Sequence, residues 1–430
     1  MDRIKIILFT LLIFLASGTF AQAQEPINAT TNGSLLQEMP RRALFTLEAN
    51  SSAGELTEAR LFFQPVGSGA RISEPITFDP ASEVSLEHEW PMQKNSIPPG
   101  AKIEYFWRLT DSTGNTFETP KQSFVPLDPR FDWQTIEDEE LAISWYDGDQ
   151  AWGQEMFDTG KEALAQLEDR LAGDITQQVR MVAFANKSDF AGTFATTESW
   201  VGGQAFTDLG VTVQIIGNGK RNWMQTVLFH ELSHLVLHQI MEGSIVPVPS
   251  WLNEGLAMYN EPVSRSVERI QNAAENGDLL RFSYLQGNFG SDGQQVSIAY
   301  AQSEMMVTYL IEDCGEDGFR QLFENMGNNM RVDKALEAAC GYDDKSFHDQ
   351  WRQSLPNPPT TQDAQPAAGT NNSEPESNPP SISTEQNSES DNVSSFILLL
   401  LVGGLCFIGL MLIAIVFVVM RLLRPQGGAA

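Results

Sequence analysis

Residues 229–238 read FHELSHLVLH, and no other stretch restricts the fold so much. Three of the five histidines of the chain, His230, His234 and His238, stand there one every fourth residue. No Gly or Pro interrupts the run, so it is expected to be helical. On a helix, residues four apart share a face. His230 and His234 can therefore turn two imidazoles towards one metal ion, with Glu231 beside the first. H-E-x-x-H on a helix is the pattern of a zinc site with the Glu as general base. Such a site needs a third protein ligand and an open position for water.

Two residues compete for the third position. His238 lies about 12 Å along the helix from His230, whereas zinc donors sit only about 2 Å from the ion. Without a break in the helix His238 cannot join, and packing or a hydrogen bond one turn on is its better role. Glu254 belongs to WLNEGLAMY (251–259), after a proline-marked turn at 247–249. Flanked by Trp251, Leu252, Leu256 and Ala257, its carboxylate would be near a buried face and would need a partner.

The chain ends limit where this chemistry happens. MDRIKIILFTLLIFLASGTFAQAQ opens with Arg3 and Lys5, continues apolar from Ile6 to Leu15, and closes on Ala21-Gln22-Ala23. That is a signal-peptide pattern, placed at 1–23. Phe396 to Met420 carries no charge, long enough for a membrane span of about 20 residues. Arg421 and Arg424 follow it directly. The expected topology is single-pass type I, with a transmembrane helix at 395–420, a cytoplasmic tail at 421–430 and the rest outside the plasma membrane. The formal net charge of −29 argues against nucleic acid as a partner. Cys314 and Cys340 could pair, which spacing alone leaves open.

Between the ends the composition changes twice. ALFTLEA (43–49), ARLFF (59–63), KIEYFWRLT (102–110) and NTFETPKQSFVP (115–126) read as strands, with a turn at Asp111 to Asn115. They suggest a small β-sandwich over 41–127, loosely similar to immunoglobulin-like or fibronectin-type modules, acting as spacer or packing partner. Helical and strand patterns follow over 131–355. QAWGQEMFDTGKEALAQLEDRL (150–171) is an amphipathic helix, VRMVAFA (179–185) and VTVQII (211–216) are strands, and 222–240 is a strong helix. Ser250 is a candidate N-cap for the helix after it. More helices are expected at 299–312, 318–326 and 332–340. Residues 356–394, rich in Pro, Ser, Asn and Glu, read as a disordered stalk.

HELSHLVL followed by PSWLNEGLAMY resembles the gluzincin clan of thermolysin-like metallopeptidases, and within it Peptidase MA-like domains, over roughly residues 133 to 355. The resemblance implies a zincin-like α+β domain behind the β module, with zinc on His230, His234 and Glu254 and Glu231 as catalytic base. It implies a substrate-binding edge strand, either WVGGQAF (200–206) or VTVQII. It further implies a tyrosine at the oxyanion, for which Tyr300 is the choice over Tyr259 and Tyr309. Where the aminopeptidase branch has lysine-glycine after that tyrosine, this chain has Gln302-Ser303. GGQAF also lacks the glutamate with which that branch reads a free amino terminus. The expectation is a membrane-anchored zinc endopeptidase acting on peptide or protein substrates. The alternative is a zincin-fold ectodomain that binds without turnover.

Overall fold

Alternation of apolar and polar residues builds the N-terminal region. In this computed structural model the described residues are 26–356 apart from 37–40, 93–96, 172, 192, 194–202, 265 and 290–292. The proposed signal peptide, nearly all of the stalk, the apolar run at 396–420 and the tail lie outside them. Among the described residues no helix is long and apolar enough to cross a membrane.

Strands β1 (Ile27–Leu35), β2 (Arg42–Ser51) and β5 (Glu83–Pro91) form one antiparallel sheet, in the order β1-β2-β5. A second sheet holds β4 (Ile72–Ile76), β3 (Leu56–Pro65), β6 (Ile103–Asp111) and β7 (Thr116–Glu118), with β8 (Gln122–Phe124) also on β6. Inward residues of the two sheets, among them Phe45, Leu47, Leu61, Phe63, Tyr105 and Trp107, share one core. The turn at 111–115 is held by Asp111. Its carboxylate accepts from the Asn115 side chain, the Thr113 and Asn115 amides and the Ser51 hydroxyl. The Asn115 bond leads these in holding its pKa far below the ordinary value. The sequence pattern passed over β1, β4 and β5. INATTNGSL has almost no large apolar residue, ISEPI is short, and EVSLEHEWP hides its alternation among charges.

The next sheet has the order β12-β13-β11-β10-β9. Its members are β9 (Gln134–Glu137), β10 (Leu141–Trp145), β11 (Val179–Phe184), β12 (Gly203–Phe206) and β13 (Val211–Ile215). β10, β11 and β13 run parallel, and β9 and β12 close the two edges antiparallel. Both faces are covered, so β11 is buried along its whole length. Leu141, Ile143, Met181 and Ala183 face the helices, among α1 (Gln150–Leu171) and α3 (Arg221–Ile240). Val182, Phe184, Val211 and Val213 face Ile97, Ala101, Leu127 and Phe131, which come from the N-terminal β region and its exit. A short helix, α2 (Lys187–Phe190), follows β11.

The remaining helices are α4 (Ser250–Asn260), α5 (Ser266–Asn276), α6 (Phe282–Leu285), α7 (Gly293–Gly327), α8 (Val332–Cys340) and α9 (Asp344–Ser354). Helix α7 is two helices joined at Gly315, whose φ of 77° is non-helical. Cys314 and Cys340 form a disulfide across 26 residues, tying α7 to the end of α8. Two expectations are corrected. Ser250 is the first helical residue of α4 rather than its N-cap; Pro249 caps it with no side-chain bond, because Pro249 holds the extended conformation that ends the turn. VTVQII is interior to its sheet, and GQAF is the edge, because β12 folds back antiparallel outside it.

Candidate metal centre

Helix α3 is buried almost all round, as expected for a helix wedged between a sheet and other helices. Polar side chains pin its middle and its C-terminal end. Ser233 Oγ donates to Phe229 O and accepts from Asn260 Nδ2 at the end of α4, at 2.6 and 3.0 Å. Gln239 bonds the backbone of Thr176 and Gln177. The helix is unbroken from Arg221 to Ile240, so His230 and His234 project from one face and His238 does not join them. His238 points to Asp208, with Nε2 3.2 Å from Oδ1.

Helix α4 brings Glu254 to the two histidines. Its position depends on Gly255: a methyl there would fall 2.4 Å from the Ser303 carbonyl oxygen, so only glycine lets α4 lie this close to α7. His230 Nε2 and His234 Nε2 are 3.3 Å apart, and Glu254 Oε2 is 3.7 and 3.5 Å from them. Donors at about 2.0–2.2 Å from a tetrahedral ion are about 3.3–3.6 Å from one another. The triangle has that size. Glu254 Oε2 is buried, and among the described residues no donor satisfies it at ordinary hydrogen-bond geometry, a state that costs stability unless something positive is bound there.

The other ring nitrogens settle which electron pairs face inward. His230 Nδ1 lies 2.9 Å from Glu261 Oε1, and His234 Nδ1 lies 3.0 Å from Asn253 Oδ1. Both partners are acceptors, so both Nδ1 atoms carry the proton and both Nε2 lone pairs point into the triangle. The donor set therefore fits zinc. Charges agree. Burial pulls the His230 imidazole down, but the Glu261 carboxylate outweighs it and leaves the pKa raised. Burial likewise opposes His234, and Glu254 with Glu231 pushes it up to about 9. Burial pushes Glu254 up, yet the two imidazoles, with the Tyr300 hydroxyl also against it, hold it below its ordinary value. The site favours positive charge at its centre.

Glu231 lies next to the triangle on α3. Burial raises its carboxyl, with His230 and His234 pulling the other way, and Thr212 Oγ1 lies 3.4 Å from Oε2. Of the three tyrosines considered, only Tyr300 reaches the cluster. Tyr259 lies under the Arg170 guanidinium, 4.8 Å from it, and Tyr309 packs on Phe347. Glu261 and Asn253 are functional positions that the sequence reading missed. Glu261 lies just past the end of α4 in extended conformation, so no helical spacing marked it in the sequence.

An H-E-x-x-H helix under a mixed sheet, with a glutamate from the next helix, defines the site of a zincin-type metallopeptidase. Residues 159–357 match the model of the Peptidase MA superfamily, and the His-His-Glu triangle is consistent with a Peptidase MA domain of the gluzincin type. No curated protein sequence matches the chain. Among solved structures, a variant of an M1 zinc metallopeptidase from Deinococcus radiodurans bound to a Tyr-Ser-Ala substrate is 12% identical, with a TM-score of 0.36. It covers 77% of this chain and 95% of its own. An M1 zinc metallopeptidase from the same organism is 13% identical, with a TM-score of 0.33, covering 79% of this chain and 95% of its own.

Proposed function

We propose that this protein is a zinc-dependent endopeptidase, held by a C-terminal helix at 395–420 with its catalytic part outside the plasma membrane. The observation that carries the reading is the triangle of His230 Nε2, His234 Nε2 and Glu254 Oε2, with edges of 3.3 to 3.7 Å. These residues would hold the ion. When bound, zinc supplies Lewis acidity, polarising the scissile carbonyl and bringing the pKa of water near 7. Glu231 takes a proton from the attacking water as its oxygen joins the carbonyl carbon. Glu231 then gives that proton to the amine nitrogen as the C–N bond breaks. Tyr300 donates to the oxygen on which charge collects.

The substrate would lie along β12, whose outer side pairs with no strand among the described residues. A peptide in extended form can add there through its backbone. Gly203–Phe206, GQAF, offers no carboxylate to a free amino terminus, which supports cleavage within chains. The Cys314–Cys340 disulfide is in keeping with an oxidising compartment.

Glu231→Gln tests the chemistry. It keeps the three ligands, so about one zinc per chain should remain by elemental analysis, while peptide cleavage falls about 10²- to 10⁴-fold. Cleavage equal to wild type would show that the activity belongs to another site. A wild-type protein that binds zinc and cleaves nothing in a broad peptide library would favour a non-catalytic binding ectodomain. Protease added to intact cells should remove the ectodomain and spare a C-terminal tag; loss of the tag would overturn the topology.

A further inference from the structure

We propose that Thr212 and Gln214 are positioning residues for Glu231, and that Gly203 of the edge strand is glycine because their relay occupies the space a side chain would need. The inference rests on the peptidase reading. Along β13, Val211 and Val213 enter the apolar cluster on the far face of the sheet. Thr212 and Gln214 alternate with them and so face α3. They are 0% and 1% exposed, and two polar side chains buried in a strand are costly unless bonded. Gln214 Nε2 donates to Thr212 Oγ1 at 2.8 Å, and Thr212 Oγ1 donates to Glu231 Oε2 at 3.4 Å.

The direction of the relay follows from donor counting. A threonine hydroxyl has one proton. With the Gln214 amide donating to its oxygen, that proton is left for Glu231. Were the amide turned over, the hydroxyl would face two acceptors with one proton, and the carboxylate or the amide oxygen would go without. One fixed carboxylate oxygen fixes the rotamer of the Glu231 side chain. The relay has a steric counterpart across the ladder. Gly203 pairs with Gln214, and a Cβ on Gly203 would fall 1.7 Å from Gln214 Oε1. That oxygen is buried with no hydrogen-bond partner among the described residues, so the amide is kept for what its nitrogen does. The strand along which a substrate would lie is thereby bare where the orientation of the base is set.

Purified protein carrying Thr212→Val, Thr212→Ser, Gln214→Leu or Gly203→Ala tests this. Thr212→Val keeps the shape and removes the donor. It and Gln214→Leu should lower kcat on a cleaved peptide about 10- to 100-fold, the usual range for lost outer-shell partners, with KM and zinc stoichiometry unchanged. Thr212→Ser should restore kcat, and Gly203→Ala should lower it by displacing Gln214. A purely structural role would instead lower thermal stability with kcat intact. Crystal structures of the metal-free proteins supply a readout independent of turnover. The Glu231 carboxylate should leave its wild-type rotamer in Thr212→Val and keep it in Thr212→Ser. Unchanged kcat in both Thr212→Val and Gln214→Leu overturns the relay, as does an unmoved carboxylate in Thr212→Val. If the wild type cleaves nothing, the peptidase reading fails and the crystal structures alone decide on the relay.

Discussion

Glu261 touches no donor atom of the triangle, yet it decides how one of them is presented. Its Oε1 lies 2.9 Å from His230 Nδ1 in a buried setting. Losing that acceptor frees the imidazole to rotate or change tautomer. Glu261→Ala should therefore weaken zinc binding about 10- to 100-fold, measured by competition with a chromophoric chelator, while Glu261→Gln, which keeps an acceptor, should lose less. Equal affinity in Glu261→Ala and wild type would mean the ring is held by packing alone. At this scale the three residues of the triangle were legible and their supports were not. The H-E-x-x-H spacing follows from helix geometry alone. Asn253 and Glu261 acquire meaning only once α4 is known to end against α3. Thr212 and Gln214 carried a faint sign, two polar residues alternating in an otherwise apolar strand.

Elements were read most easily where burial is one-sided. In the amphipathic helix expected at 150–171, the apolar face of Trp152, Met156, Gly160, Ala163, Leu164, Leu167 and Leu171 is buried throughout. Strand β1 was missed because its partner β2, rather than its own composition, makes it a strand. Helix α9 supplies a prediction at this scale. His348 is buried against Phe282 and Trp351. Burial, and then the nearby Arg352, pulls its pKa down to about 4. The fold therefore prefers the neutral ring, and the unfolded chain, near pKa 6.5, takes up its proton first. The stability contributed is complete above about pH 6.5 and is lost as pH falls towards 4. Between pH 7 and 5 the loss should be about 2 kcal/mol. Denaturant midpoints of wild type and His348→Phe measure it. The variant should show the shallower decline, and parallel declines would show that His348 keeps an ordinary pKa in the fold.

For the whole molecule, the N-terminal β region is part of the construction rather than a spacer. It supplies Ile97 and Ala101, which with Leu127 and Phe131 cover Val182, Phe184, Val211 and Val213 on the sheet face opposite the helices. A chain starting at Phe131 would lose Ile97, Ala101 and Leu127 from that face and open apolar surface to water, and exposed apolar patches drive association. Residues 131–356 alone should aggregate or bind a hydrophobic dye, whereas residues 26–356 should be monomeric by light scattering. A soluble, monomeric short form with native near-UV circular dichroism would count against this. The dependence was invisible in the sequence. Apart from Arg180, β11 reads as an apolar strand, which says both faces are covered but not by what.

The close approach at Gly255 acts as a gauge between two parts of the machine. Glu254 precedes that contact on α4, and Tyr300 lies one turn before Ser303 on α7. The distance from ligand to tyrosine is thus set by backbone against backbone, with no rotatable side chain in between to absorb an error. Even one added methyl at Gly255 would push α4 and α7 apart, and the mismatch would appear at the His-His-Glu triangle although none of its residues had been altered.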